Sequence, residues 1–226
     1  MILIVNDYDG LYGRFWKNLG EITRDASILF TDPDCIKLVC FTGGEDVSPE
    51  LYGHKNLASG NSKDRDETEA LIFAMAKKHE VPMTGICRGA QFLNVMCGGS
   101  MVQHLRRSHG GGHHRCRTSD GREFEVTSSH HQMIVPGPEG VILAVAEKAL
   151  HESDCVYDGE LPDSVFNPEY PKELLVTEAI AYPKLRIFGV QHHPEWQNID
   201  EEGPQWTLAK TRELCLGQGN LILAIS

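Results

Sequence analysis

One turn, Gly85-Ile86-Cys87-Arg88-Gly89, constrains this chain more than any other feature. Pro82–Ile86 before it is a short apolar run suited to a buried strand, and Arg88–Met96 after it reads as a helix stopping at Gly98-Gly99. Upstream, Ala70, Leu71, Phe73, Ala74 and Met75 recur with helical spacing between Arg65 and His79. Acidic Asp66, Glu67 and Glu69 open that helix and Lys77 and Lys78 close it, which complements its dipole. The middle of the chain therefore reads helix, strand, sharp turn, helix.

Other segments extend the pattern. Ile2–Val5 suits a first strand and Leu11–Leu19 a helix. Ile36–Phe41 is an apolar run that stops at Thr42-Gly43-Gly44, where the backbone can turn sharply and approach a ligand. Further strands are expected at Glu123–Val126, Val141–Ala146, Leu174–Ala181 and Arg186–Val190, with a helix near Trp206–Leu214. Residues 53–66, 106–121 and the acidic stretch 151–173 read as loops. Short apolar strands alternating with helices imply an α/β fold, a three-layer sandwich around a mainly parallel central sheet. At 226 residues the chain, 1–226, is expected to form a single domain.

Composition removes some functions. The net charge of −11 argues against a nucleic-acid partner, which would want a basic face. No apolar stretch is long enough to span a bilayer, and the short apolar start lacks a basic flank, so no membrane or leader role is expected. Seven irregularly spaced cysteines fit reduced thiols in a cytoplasmic setting.

The central turn has the Gly-x-nucleophile-x-Gly form. In such an elbow a helix N-terminus favours a thiolate, and the N–H of Arg88 can face a developing oxyanion. The plainer alternative is a small core cysteine in a strand-to-helix turn. A thiol nucleophile wants a histidine base held by an acceptor. The best candidate is His193, which follows the strand Arg186–Val190 and lies two residues before Glu195 across the stiff Pro194. His192 reads as a solvated neighbour. His109, His113, His114 and Cys116 crowd together, but their spacing is poor for zinc, so no metal ligands are assigned. Arg106, Arg107, Arg115 and Arg117 form a basic patch, either solvated or a clamp for an anionic group.

Gly-Ile-Cys-Arg-Gly-Ala-Gln-Phe-Leu-Asn-Val around Cys87, with Gly98-Gly99-Ser100 after it, resembles the class I glutamine amidotransferase superfamily. The likeness is greatest to the γ-glutamyl-γ-aminobutyrate hydrolases, the C26-type cysteine peptidases. Thr42–Pro49 with Tyr52-Gly53, Arg65-Asp66 with Glu69, Ser128–Gln132 and Gly189–Glu195 resemble further family segments in the same order. His192 stands where that family usually has Trp or Phe, Thr127 where it has Asn, and Thr42 where it has Pro or Leu.

The resemblance implies a flavodoxin-like α/β fold and hydrolysis of γ-glutamyl amides through a thioester, with no cofactor. By position it implies Cys87 as nucleophile, His193 as base and acid, and Glu195 as its orienter. It implies an oxyanion site from the N–H groups of Gly44 and Arg88. Gln91, Ser128, Ser129 and His130 would hold the glutamyl group, the last three largely through backbone. The partner would be a small γ-glutamyl molecule, glutamine or a γ-glutamyl amine; a homodimer is compatible with this. An alternative is a glutaminase subunit delivering ammonia to a separate synthetase, and another is a silent binding module. An α/β-hydrolase with a cysteine nucleophile would want its acid well before the histidine, which Glu195 is not.

Overall fold

A computed structural model describes residues 1–106 and 110–218. Its main sheet has nine strands among the described residues. They are β1 (Ile2–Val5), β2 (Ile22–Thr23), β3 (Leu38–Phe41), β4 (Met83–Ile86), β5 (Gly110–Thr118), β6 (Glu123–Ser129), β7 (Val141–Ala146), β8 (Thr177–Tyr182) and β9 (Ile187–Val190). Their spatial order is β2-β1-β3-β4-β9-β8-β7-β5-β6. From β2 to β9 every pairing is parallel. From β9 to β6 every pairing is antiparallel.

The parallel half forms because its strands alternate apolar side chains on both faces, so each face needs a helical cover. Leu3, Val5, Val39, Phe41 and Met83 face one core, where α2 (Ser27–Thr31), α3 (Lys63–Lys78) and α4 (Arg88–Met96) supply Leu29, Ile72, Phe73, Phe92 and Leu93. Ile2, Ile4, Leu38, Cys40, Ile86, Phe188 and Val190 face the other, where α1 (Leu11–Trp16) and α5 (Glu202–Leu214) supply Phe15, Trp16, Trp206 and Leu208. Three layers result. No described helix is long and apolar enough to cross a membrane.

Two segments differ from the sequence reading. Residues 106–121 contain β5, a nine-residue strand that pairs with β6 and β7. Alternation along it turns His113 outward to Glu125 (3.0 Å) and His114 inward to Glu178 (2.9 Å). The strand thus splits the His/Cys crowd between two faces; His109 lies outside the described residues. The acidic stretch 151–173 is no simple loop either. Cys155–Val156 pairs with His104–Leu105, and Phe166–Asn167 pairs with Tyr170–Leu174. Beneath them Leu105, Met133, Cys155, Val165, Leu174 and Val176 form a third buried cluster. Apolar residues spaced through an acidic stretch were its signal.

Candidate active site

The site lies at the carboxyl ends of three adjacent parallel strands, where open α/β sheets leave a crevice. β3 delivers Thr42-Gly43-Gly44, β4 delivers Cys87, and β9 delivers the stretch from Gln191 to Glu195.

Cys87 has φ 52° and ψ −114°, a conformation that non-glycine residues rarely adopt and that clusters at functional positions. The surrounding contacts hold it there. Its N–H donates to Val190 O at 2.7 Å, and its carbonyl accepts the N–H of Gln91 at 3.1 Å. Close packing of α4 on the strands requires the glycines of the elbow. A Cβ on Gly85 would lie 2.4 Å from Gly89 C, and one on Gly89 would lie 2.2 Å from Phe41 O.

His193 is buried, and its Nδ1 lies 2.6 Å from Glu195 Oε1. Thr127 clasps its backbone: Thr127 Oγ1 accepts the His193 N–H and donates to the His193 carbonyl, each at 2.9 Å. The Trp196 ring stacks on the imidazole, centroids 3.7 Å apart at 4°. Burial opposes a charge on His193, but Cys87, by charge and hydrogen bond, and Glu195 outweigh it. The imidazolium is pushed up to about 10. Gly43 lies against this pair: a Cβ there would come within 3.1 Å of His193 Cε1 and 3.6 Å of Cys87 Cβ. The Gly43 N–H donates to Tyr12 Oη at 3.1 Å. Burial first, then the charges of Glu195 and Cys87, raises the Tyr12 phenol far above its usual range, so it stays neutral.

Cys87, His193, Gly44 and Ser129 line one cavity of about 390 Å³, together with Asn6, Tyr8, Asp9, Tyr12 and Trp196. Glu195 lies buried behind the imidazole. Gln91 and Ser128 are buried and do not line this cavity. His130 turns inward: its Nδ1 meets Gln132 O at 2.8 Å and its Nε2 lies 3.3 Å from Glu178. The backbone-led role that the resemblance gave His130 leaves its ring free for that contact.

His192 corrects the sequence reading. It is fully buried, with its Nδ1 3.9 Å from Glu178 Oε2 and its Nε2 3.3 Å from Thr207 Oγ1. Burial, only partly offset by Glu178, pushes it down to about 3, so it is neutral. A polar neighbour on β8 made this burial affordable, and that neighbour is remote in sequence. Of the basic patch, Arg115 is exposed and pairs with Glu123 at 3.2 Å, and neither Arg106 nor Arg117 lines the cavity. Sequence reasoning missed Asn6, Tyr8, Asp9, Tyr12 and Trp196. The first four follow β1, and the position of that strand in the sheet was their only signal.

Such an arrangement can carry nucleophilic acyl chemistry: a thiol at a helix N-terminus, an imidazolium held by a carboxylate, and glycine backbone opposite.

The Peptidase C26 family matches residues 23–149. Protein NtpR of Enterococcus hirae is 30% identical over 183 residues, covering 72% of this chain and 68% of that protein. The carbamoyl phosphate synthase pyrimidine-specific small chain of Halalkalibacterium halodurans is 27% identical over 184 residues, covering 81% of this chain and 43% of that one. Further curated relatives are matched over 21% to 63% of their own length. A glutamine amidotransferase structure from Thermotoga maritima superposes with a TM-score of 0.56 at 14% identity, covering 96% of this chain and 89% of that one, which shows a shared fold. With the family match spanning more than half of its length, this chain belongs to the Peptidase C26 family of glutamine amidotransferase-like cysteine hydrolases.

Proposed function

We propose that the chain hydrolyses γ-glutamyl amide bonds, with Cys87 as nucleophile, His193 as general acid and base, and Glu195 as its orienter. The observation that carries this is the row Cys87–His193–Glu195 at adjacent strand ends, with the imidazolium held by both neighbours.

In the resting state the proton sits on His193. The Cys87 sulfur attacks the γ-carbonyl carbon, and the oxyanion is received by the N–H groups of Gly44 and Arg88, each worth about 3–4 kcal/mol. His193 gives its proton to the leaving nitrogen as the C–N bond breaks. A γ-glutamyl thioester remains. Water then loses a proton to His193 and attacks the thioester, releasing glutamate and returning the proton to the Cys87–His193 pair. Ser129 lines the cavity and would hold the glutamyl ends; Gln91, Ser128 and His130, which the resemblance assigns to the same group, are buried and do not line it.

The test is to incubate the protein with glutamine, γ-glutamyl-γ-aminobutyrate and γ-glutamyl peptides and trap the acyl-enzyme by mass spectrometry. A γ-glutamyl adduct on Cys87 is expected, and Cys87→Ala abolishes both adduct and turnover. Hydrolysis persisting in that variant would falsify the assignment.

A second reading is a glutaminase subunit that passes ammonia to a separate synthetase. It is favoured by the likeness to a carbamoyl phosphate synthase small chain over 81% of this chain. Under it, glutamine alone gives the adduct, and turnover rises when the synthetase is added.

A further inference from the structure

Arg65 does not line the cavity, yet it braces the wall opposite Cys87. Its side chain is 8% exposed. One face of the guanidinium fork is spent on carboxylates: Nε donates to Glu69 Oε1 and Nη1 to Glu45 Oε2, both at 2.9 Å. Nη2 is spent on backbone and hydroxyl, donating to Gly43 O at 2.9 Å, Thr42 O at 3.1 Å and Thr42 Oγ1 at 3.3 Å. Glu69 is itself fixed, because it also accepts from Asn6 Nδ2 at 2.7 Å and pairs with Arg88.

We propose that Arg65 is a positioning residue for the oxyanion site: it fixes the Gly43–Gly44 peptide so that the Gly44 N–H faces the reacting carbonyl. This rests on the proposed role of Gly44. A peptide unit is planar and trans, so its C=O and N–H point in opposite directions. Arg65 captures the Gly43 carbonyl, and the Gly44 N–H therefore points away from Arg65. Cys87 and His193 stand on the other side of this stretch: a Cβ on Gly43 would lie 3.6 Å from Cys87 Cβ and 3.1 Å from His193 Cε1, whereas one on Gly44 would meet Arg65. Sterics alone do not hold the peptide. Both flanking residues are glycines, and Gly44 has φ 140°, where a side chain is strained. Rotation of that peptide would present a carbonyl oxygen where negative charge develops. Arg65 packs so closely beneath it that a Cβ on Gly44 would lie 2.1 Å from Nη1. Lysine keeps the charge but has no planar fork to span two carbonyls and two carboxylates.

The experiment compares wild type with Arg65→Lys on γ-glutamyl p-nitroanilide and on p-nitrophenyl acetate. The ester needs an oxyanion site but no glutamyl recognition. Alkylation of Cys87 by iodoacetamide, which forms no oxyanion, is the control for thiol reactivity. Arg65→Lys is expected to lower kcat about a hundredfold on both substrates, the scale of losing one oxyanion donor. KM for the anilide stays within about threefold, and alkylation within about twofold, because neither needs that donor. Retention of kcat, or alkylation slowed as much as kcat, overturns the proposal. Wild type active on the ester but inert on the anilide removes the γ-glutamyl reading while the ester still tests Arg65. Wild type inert on both, with Cys87 still alkylated, removes both. If Arg65→Lys does not fold, Glu45→Gln removes an exposed brace. It should lower kcat about fivefold with alkylation unchanged, a partial loss of the same donor; an unchanged kcat overturns the proposal.

Discussion

Two buried ionic clusters flank the candidate active site, and they are built from different bases. Under the elbow, in the parallel half, Arg65 and Arg88 meet Asp66 and Glu69. Asp66 also accepts the Ser48 N–H at 3.0 Å, and the Arg88 guanidinium lies over Phe92, 5.1 Å from the ring centroid. On the antiparallel side, Glu178 is ringed by His114, His130 and His192. Burial and Arg65 push Arg88 down to about 10, but it remains charged at neutral pH. Burial opposes the charge on Glu178, yet His130 and His114 outweigh it and hold the carboxyl well below the usual range. The first cluster therefore carries fixed charge, which suits bracing a wall of the site. The second holds one buried carboxylate among histidine rings and contains no guanidinium.

Removing one carboxylate from each cluster is the sharpest way to break that contrast. Glu69→Gln leaves two guanidinium groups with one fewer buried anion and no way to discharge. It should cost about 3–5 kcal/mol, nearly the same at pH 8 and pH 5.5. Glu178→Gln keeps an amide oxygen that can still accept from the histidine rings around it, so the loss should be smaller, about 1 kcal/mol. Urea unfolding measures both, and equal losses would show that the clusters do not differ in kind.

The smallest effect concerns His192 alone. Its folded-state value is depressed, so between about 6.5 and about 3 the unfolded chain binds a proton that the folded chain refuses. Stability contributed by this site is therefore present above 6.5 and lost as pH falls through that window. His192→Phe removes the proton difference. Relative to wild type, its Tm at pH 5 should gain on the order of 3 °C over its change at pH 8. A variant that loses as much at pH 5 as at pH 8 would mean that His192 is held by packing rather than by its proton.

Much of the site was legible because its parts are local. The glycines of the elbow, the Gly43-Gly44 turn and the His193-Pro194-Glu195 spacing each state their geometry within five residues. What escaped depends on neighbours remote in sequence. Strand β5 has no apolar alternation over His113-His114-Arg115. It is a strand because β6 pairs with it and offers Glu123 and Glu125 to its outward-facing Arg115 and His113. His192 looked solvated because the carboxylate nearest to it, Glu178, and its hydrogen-bond partner, Thr207, both lie on other elements. The Arg65-Asp66 and Glu69 segment was visible as a helix start, but the carbonyls that Arg65 holds lie more than twenty residues upstream.

The crowding at the elbow has a consequence for how this chain can change. Gly85 and Gly189 sit side by side on β4 and β9, and a Cβ on either would meet α4, at 2.4 Å and 2.7 Å respectively. Gly89 meets Phe41 O more closely still. No side chain can be added at these three positions without lifting the helix that carries Cys87. At the mouth of the same cavity, Tyr8 is 88% exposed and Trp196 51% exposed. Descendants of this sequence are therefore free to vary the rim, while the floor beneath Cys87 admits almost no change.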